Sequence, residues 1–240
     1  MTATATKTVR EYAVENSNAT RIFESLGIDY CCGGHKPLAE ACAAANVTPE
    51  EFLARLEEAE SQVSNNATQK DWQKESITAL IEHIVSTHHV YVKTEIPRIR
   101  ELLAKVVSVH GQNHAELLRV QEIFSVLAQE LTSHLTKEEQ ILFPYLVQMD
   151  AATSGTTVPA YCFGTVQNPI RMMMFEHDAA GDALRDLREV TADYTTPPDA
   201  CISYKTLYEA ISTFEKDLHQ HIHLENNLLF PRALELENAA

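Results

Sequence analysis

Glycine is scarce, with seven in 240 residues, and no stretch shows the alternating Val/Ile/Thr pattern of a half-buried strand, so no sheet is needed anywhere. Positive charge is also short: 19 Lys and Arg face 34 Asp and Glu, a formal net charge of −15. Such a chain repels phosphate backbones and anionic lipid surfaces, which argues against nucleic acid and membranes as partners. The opening "MTATATKTVREYAVENSNAT" lacks the apolar core of a signal peptide, and no run of about 18 apolar residues follows. A cytoplasmic protein is expected. Five cysteines, an odd number with only two adjacent, do not form the even framework of a secreted scaffold and read as reduced thiols.

What is present is helical periodicity. Residues 7–26, 37–45 and 49–60 read as short helices, the last opened by Thr48-Pro49-Glu50-Glu51 with Thr48 as N-cap. The polar stretch "SQVSNNATQK" at 61–70 marks a linker, set at 63–72, between a small domain of residues 1–62 and a main domain of residues 73–240. Four long helices follow, at about 74–108, 114–149, 167–193 and 199–236, with turns at "HGQNH", "DAATSGTTVP" and "YTTPPD". The expected fold is all-α: an up-down four-helix bundle with a small N-terminal helical domain.

Two segments, "HLTKEEQILFP" at 134–144 and "HIHLENNLLFP" at 221–231, repeat a histidine, a glutamate four residues later and an LFP tail. Positions four apart share a helix face, so His134 with Glu138 and His221 with Glu225 can each reach one point. A solvated hydrogen bond explains one such pair readily. It explains less well two copies with both members offset by 87 residues, which point to a duplicated hairpin. Duplication predicts partners on the other helix of each hairpin. His134 lies 23 residues past Gly111, and His88 and His89 lie 23 and 22 before it; His221 lies 23 past Pro198, and His177 lies 21 before it.

Four histidines and two glutamates thus converge on one level of an apolar bundle. Burying them is costly unless a cation compensates, and this donor set suits a carboxylate-bridged pair of non-haem irons better than one tetrahedral zinc. An open position is left for a small molecule or an oxo bridge. Neighbours on a helix diverge by about 100°, so His88 and His89 cannot both point inward, and spacing leaves the choice open. His110 and His114 sit at the turn, too far along the helix to reach that level, and read as helix-end caps with a second surface metal site as the alternative. His219 and His223 face away from the His221 stripe, toward solvent or the ligands' outer neighbours. Glu130, one turn before His134, and Glu176, before His177, are candidates to orient a ligand or carry protons.

"DYCCGGHKPL" at 29–38 sets Cys31 beside Cys32. Adjacent Cα atoms are about 3.8 Å apart, below the usual disulfide range, so a bond between them would be strained and easily reduced. Gly33 and Gly34 permit close backbone approach or positive φ, and His35 and Lys36 supply charge that favours thiolate. Two thiolates suit electron transfer, reaction with an oxidant or brief iron binding. Cys42, Cys162 and Cys201 are isolated and read as small hydrophobes.

Together "DYCCGG", "HLTKEEQILFP", "FEHDAAG" and "HIHLENNLLFP" resemble the repair-of-iron-centres family, over nearly the whole chain. The resemblance implies a hemerythrin-like bundle with two non-haem irons, oxo- or hydroxo-bridged. By matching positions it implies the ligands His89, His134, Glu138, His177, His221 and Glu225, and a redox or iron-transfer role for Cys31 and Cys32. It implies repair of iron–sulfur clusters damaged by nitric oxide or peroxide, through iron donation to damaged iron–sulfur proteins. Nitric oxide reduction to nitrous oxide is the alternative, and oxygen binding or sensing the third. The oligomeric state is left open, a homodimer included.

Overall fold

The structure, a computed structural model, describes residues 7–63, 70–152 and 163–239. Most of the expected linker, most of the "DAATSGTTVP" turn and Cys162 lie outside them. Every regular element among the described residues is a helix, and one isolated bridge pairs Thr8 with Pro37.

The N-terminal unit holds α1 (Val9–Glu15), α2 (Ser17–Leu26), α3 (Leu38–Ala44) and α4 (Pro49–Val63). The single helix expected over 7–26 is two. Asn16 is extended, at φ −146° and ψ 111°, and its side chain accepts from Asn18 N, so one residue ends α1 and caps α2. Thr8 and Glu11 form a capping box on α1, and Thr48 with Glu51 forms another on α4, the cap expected from sequence. Gly27 ends α2 at φ 66°, a conformation that L side chains rarely adopt. Phe23, Tyr30, Leu38 and Phe52 fill this unit's own core, with Phe23 stacked on Phe52.

The main body is a four-helix bundle. Its first arm is α5 (Ile77–His83), a π-helical segment (Ile84–His89) and α6 (Val90–His110). The second is α7 (Glu116–Lys137), a π-helical segment (Glu138–Leu142) and α8 (Phe143–Ala152). The third is α9 (Gln167–Val190). The fourth is α10 (Ile202–His223), a π-helical segment (Leu224–Leu229) and α11 (Phe230–Ala239). Helix α6 packs on α7 and α10, and α7 packs on α9.

Two apolar clusters fill the bundle. One includes Ile99, Leu103, Phe124, Leu184, Tyr204 and Phe214; the other includes Leu80, Ile84, Leu146, Ile170, Leu229 and Phe230. A layer of buried histidines and glutamates lies between them. The apolar patterning of the helices is interrupted at this level, with an apolar cluster packed on either side.

Candidate metal centre

The repeated LFP tails shape the helices at this layer. Pro144 and Pro231 have no N–H to bond the carbonyls four residues back. The ladder widens instead: Phe143 N–H donates to Glu138 O and Phe230 N–H to Glu225 O, each five residues back. Asn227 O, which Pro231 cannot engage, accepts from Arg10 Nη2 at 3.1 Å.

Six side chains from the four arms meet in one volume at this level. His89 and His221 bring their Nε2 atoms to 3.1 Å, and so do His134 and His177. Glu225 spans the two pairs, with Oε1 2.9 Å from His221 Nε2 and Oε2 3.1 Å from His177 Nε2. Glu138 Oε2 lies 3.5 Å from His89 Nε2 and 3.3 Å from His134 Nε2. Two four-donor sets result, His89, Glu138, His221 and Glu225, and His134, Glu138, His177 and Glu225, with both glutamates common to the two. Within each set the donor atoms lie within 4.8 Å of one another.

All six residues are buried, His89, Glu138 and Glu225 completely. Both oxygens of Glu138 and Oε2 of Glu225 have no hydrogen-bond partner there. Leaving such a group unsatisfied costs about 1–3 kcal/mol, and more when it is charged. Cations seated in the two sets remove that cost, so the donors fit the metal pair that the chemistry suggested. Without them the histidines respond. Burial opposes charging His89, but the adjacent carboxylates of Glu138 and Glu225 lift it to about 10. His134, likewise opposed by burial, is lifted by Glu138 to about 9. Burial holds His221 below its ordinary value.

The outward nitrogens are held in turn. His134 Nδ1 is 2.8 Å from Glu176 Oε2, and Glu176 is also paired with Lys137. His89 Nδ1 is 2.7 Å from Glu139 Oε1, itself held by Lys93. His177 Nδ1 is 2.8 Å from Asn226 Oδ1. Sequence reasoning missed Glu139 and Asn226. Their signal was present, since each directly follows a shared glutamate in one copy of the repeat. Glu130 is exposed and lines a cavity with His134, Glu176 and His177, of ≈260 Å³.

Other histidines go elsewhere. His88 and His89 are both buried, contrary to the expectation that only one could turn inward; His88 reaches Asp217 at 3.0 Å and stacks on His221, and His89 alone faces the glutamates. His223 is buried rather than solvated, bonded to Asn227 and packed on Tyr30, and burial pushes it down to about 4. His219 pairs with Glu24 of α2. His114 bridges Glu116 and Asp199, and His110 Nε2 lies 3.1 Å from Cys201 Sγ.

Cys31 and Cys32 are reduced, with sulfurs 3.8 Å apart. The positive charge expected from His35 and Lys36 is not supplied by them: both are exposed, and Asp29 stands beside the thiols instead. Hydrogen bonding to Cys32, burial and the neighbouring negative charge hold the Cys31 thiol well above its ordinary value. The two glycines serve close approach rather than positive φ; a Cβ on Gly34 would stand 2.9 Å from Tyr30 O. The loop is pinned to the bundle by Asn226 Nδ2 donating to Cys31 O and Asn227 Nδ2 donating to Tyr30 O. Cys32 Sγ lies 3.6 Å from His177 O.

Residues 80–233 match the hemerythrin HHE cation binding domain family, and residues 5–60 match ScdA_N, a domain of unknown function. A probable iron-sulfur cluster repair protein of Haemophilus influenzae is 36% identical over 230 residues, covering 96% of this chain and 97% of the relative. The iron-sulfur cluster repair protein YtfE of Citrobacter koseri is 35% identical over 225 residues, covering 93% and 94%. Its counterpart in Escherichia coli is 34% identical over the same length. No described helix is long and apolar enough to cross a membrane.

Proposed function

This chain belongs to the family of iron–sulfur cluster repair proteins that join a hemerythrin HHE domain to an N-terminal ScdA_N domain, and we propose that it restores damaged clusters by giving up iron held between His89, His134, Glu138, His177, His221 and Glu225. The observation that carries this reading is the pair of buried donor sets sharing Glu138 and Glu225. When bound, the iron pair supplies one-electron redox chemistry and open positions for a small ligand.

The chain's own residues supply holding and release. Glu139, Glu176 and Asn226 fix three imidazoles by their Nδ1 atoms, keeping Nε2 inward. The two sets differ in access. A cavity lined by His134, Glu176 and His177 adjoins one of them, whereas neither His89 nor His221 lines it. An ion held by His134 and His177 would therefore have the more direct way out. The client is a damaged iron–sulfur protein, and the setting is cytoplasmic. Glu176 steers His134, and the exposed Glu130 lines the same cavity, where its carboxylate would attract a departing cation.

Purified protein with its iron should restore activity to a nitric-oxide-damaged iron–sulfur enzyme better than equal free ferrous iron. If free iron succeeds and the protein does not, donation is the wrong activity.

A second reading, reduction of nitric oxide, is favoured by the character of that same cavity. Leu127, Leu131, Met172, Phe175 and Ala180 make it mostly apolar, suited to a small uncharged gas. Anaerobic single-turnover gas analysis of reduced protein decides it, and no nitrous oxide means no reductase.

A further inference from the structure

The N-terminal loop carries a donor set of its own. Asp29 offers a carboxylate oxygen, and Cys31 and Cys32 offer their sulfurs, all within 4.8 Å of one another. The separations carry chemical information. Two sulfurs bound to one tetrahedral ion at about 2.3 Å stand about 3.8 Å apart, and a sulfur and a carboxylate oxygen on such an ion stand about 3.5 Å apart. Here Cys31 Sγ is 3.8 Å from Cys32 Sγ and 3.4 Å from Asp29 Oδ1. A disulfide requires its sulfurs at about 2.05 Å, so the pair stands at ligand spacing rather than bonding spacing.

Two further observations point the same way. The three residues line a cavity of ≈310 Å³ together with Glu24, His219 and Glu215. Glu215 is only 1% exposed, and its Oε2 has no hydrogen-bond partner. Both guanidinia that line this cavity are already engaged, Arg188 with Glu215 Oε1 and Asp193, and Arg185 with Asp182. An unpartnered buried carboxylate oxygen therefore borders the three donors, two of whose separations match tetrahedral spacing. The backbone holds the loop in place: Cys31 N and Cys32 N both donate to Asp29 Oδ1, and Asn226 grips Cys31 O from the bundle.

We propose that Asp29, Cys31 and Cys32 form a third cation site, for one thiophilic divalent ion, with its fourth position open to the cavity. Binding replaces the two thiol protons, which leave to solvent, and no electron is transferred. Three protein donors and one open position leave the ion accessible to an outside ligand, unlike a closed structural site. It lies against the buried centre, with Cys32 Sγ 3.6 Å from His177 O and Asn226 touching both His177 Nδ1 and Cys31 O. That the natural occupant is ferrous iron leaving the bundle rests on the donation reading above; the site itself does not.

Cobalt(II) is the probe, added without oxygen to protein already loaded with iron. One cobalt per chain should bind with an intense near-ultraviolet thiolate-to-cobalt band. Cys31→Ser and Cys32→Ser should each lose that band while keeping their helical circular dichroism and iron content, and Cys201→Ser should keep it. Absence of the band, its survival in both loop variants, or its loss in Cys201→Ser overturns the proposal. Should the bundle hold fewer than two irons yet the band appear and obey these variants, the buried-centre reading fails and this one stands.

Discussion

At the scale of single residues, the two glutamates shared between the donor sets are the most consequential. Each faces two histidines from different helices, so losing either weakens both sets at once. Glu138→Leu or Glu225→Leu should keep the fold and drop iron well below two per chain, as read by metal analysis and Mössbauer spectroscopy. A full complement of coupled iron in both variants means that other residues hold the metal.

The same residues set a proton balance. With no cation present, His89 near 10 and His134 near 9 are both protonated at neutral pH, because the negative charge of Glu138 and Glu225 outweighs the burial that opposes charging them. A metal ligand must be neutral imidazole. Loading the metal-free protein at neutral pH should therefore release about two protons per chain from these histidines, and affinity should fall as pH falls. An indicator dye in weak buffer measures the release.

At the scale of elements, the N-terminal loop depends on glycine for proximity. A Cβ at Gly34 meets backbone, Tyr30 O at 2.9 Å, and Arg10 Cβ at 3.1 Å, and backbone cannot swing aside as a long side chain can. Gly34→Ala should destabilise the unit by roughly 1–3 kcal/mol, the usual cost of forced overpacking. Thermal unfolding followed by circular dichroism tests this; an unchanged melting temperature contradicts it.

The widened turns also belong to this scale. Glu-to-Pro spacing repeats in both copies of the motif, yet a π-helical turn is not visible in 3.6-residue periodicity, which describes only the α-helix. That is why each arm reads from sequence as one unbroken helix. The break at Asn16 was hidden for a related reason: apolar periodicity continues across it, and only the side-chain cap reveals two helices.

At the scale of the whole molecule, the N-terminal unit is clasped to the bundle by polar pairs. His219 of α10 meets Glu24 of α2 at 3.1 Å. Burial alone would lower this histidine, but the hydrogen bond and charge of Glu24 outweigh it and raise the group above 6.5. A raised histidine stabilises the folded state fully below its unfolded value, and the contribution is lost as pH rises through the raised one. Glu24→Gln should therefore lower thermal stability most below pH 6.5, with the gap from wild type closing as pH climbs past the raised value. A gap that stays constant across that range would show that Glu24 acts without the charge on His219.

Local pattern by itself determined the helical class, the bundle's four arms, the cap at Thr48 and the repeat of His and Glu at four-residue spacing. These follow from periodicity and i,i+4 geometry, which short stretches of chain encode. Spacing left His88 against His89 open, a choice that only the family resemblance made in favour of His89, while the tertiary structure decided that Glu139 and Asn226 hold outward nitrogens and that Asp29 rather than His35 or Lys36 flanks the thiols. Those choices depend on how a helix rotates against neighbours distant in sequence and on which loop is pinned beneath it. Apolar burial sets both across the whole chain, and no local spacing records it.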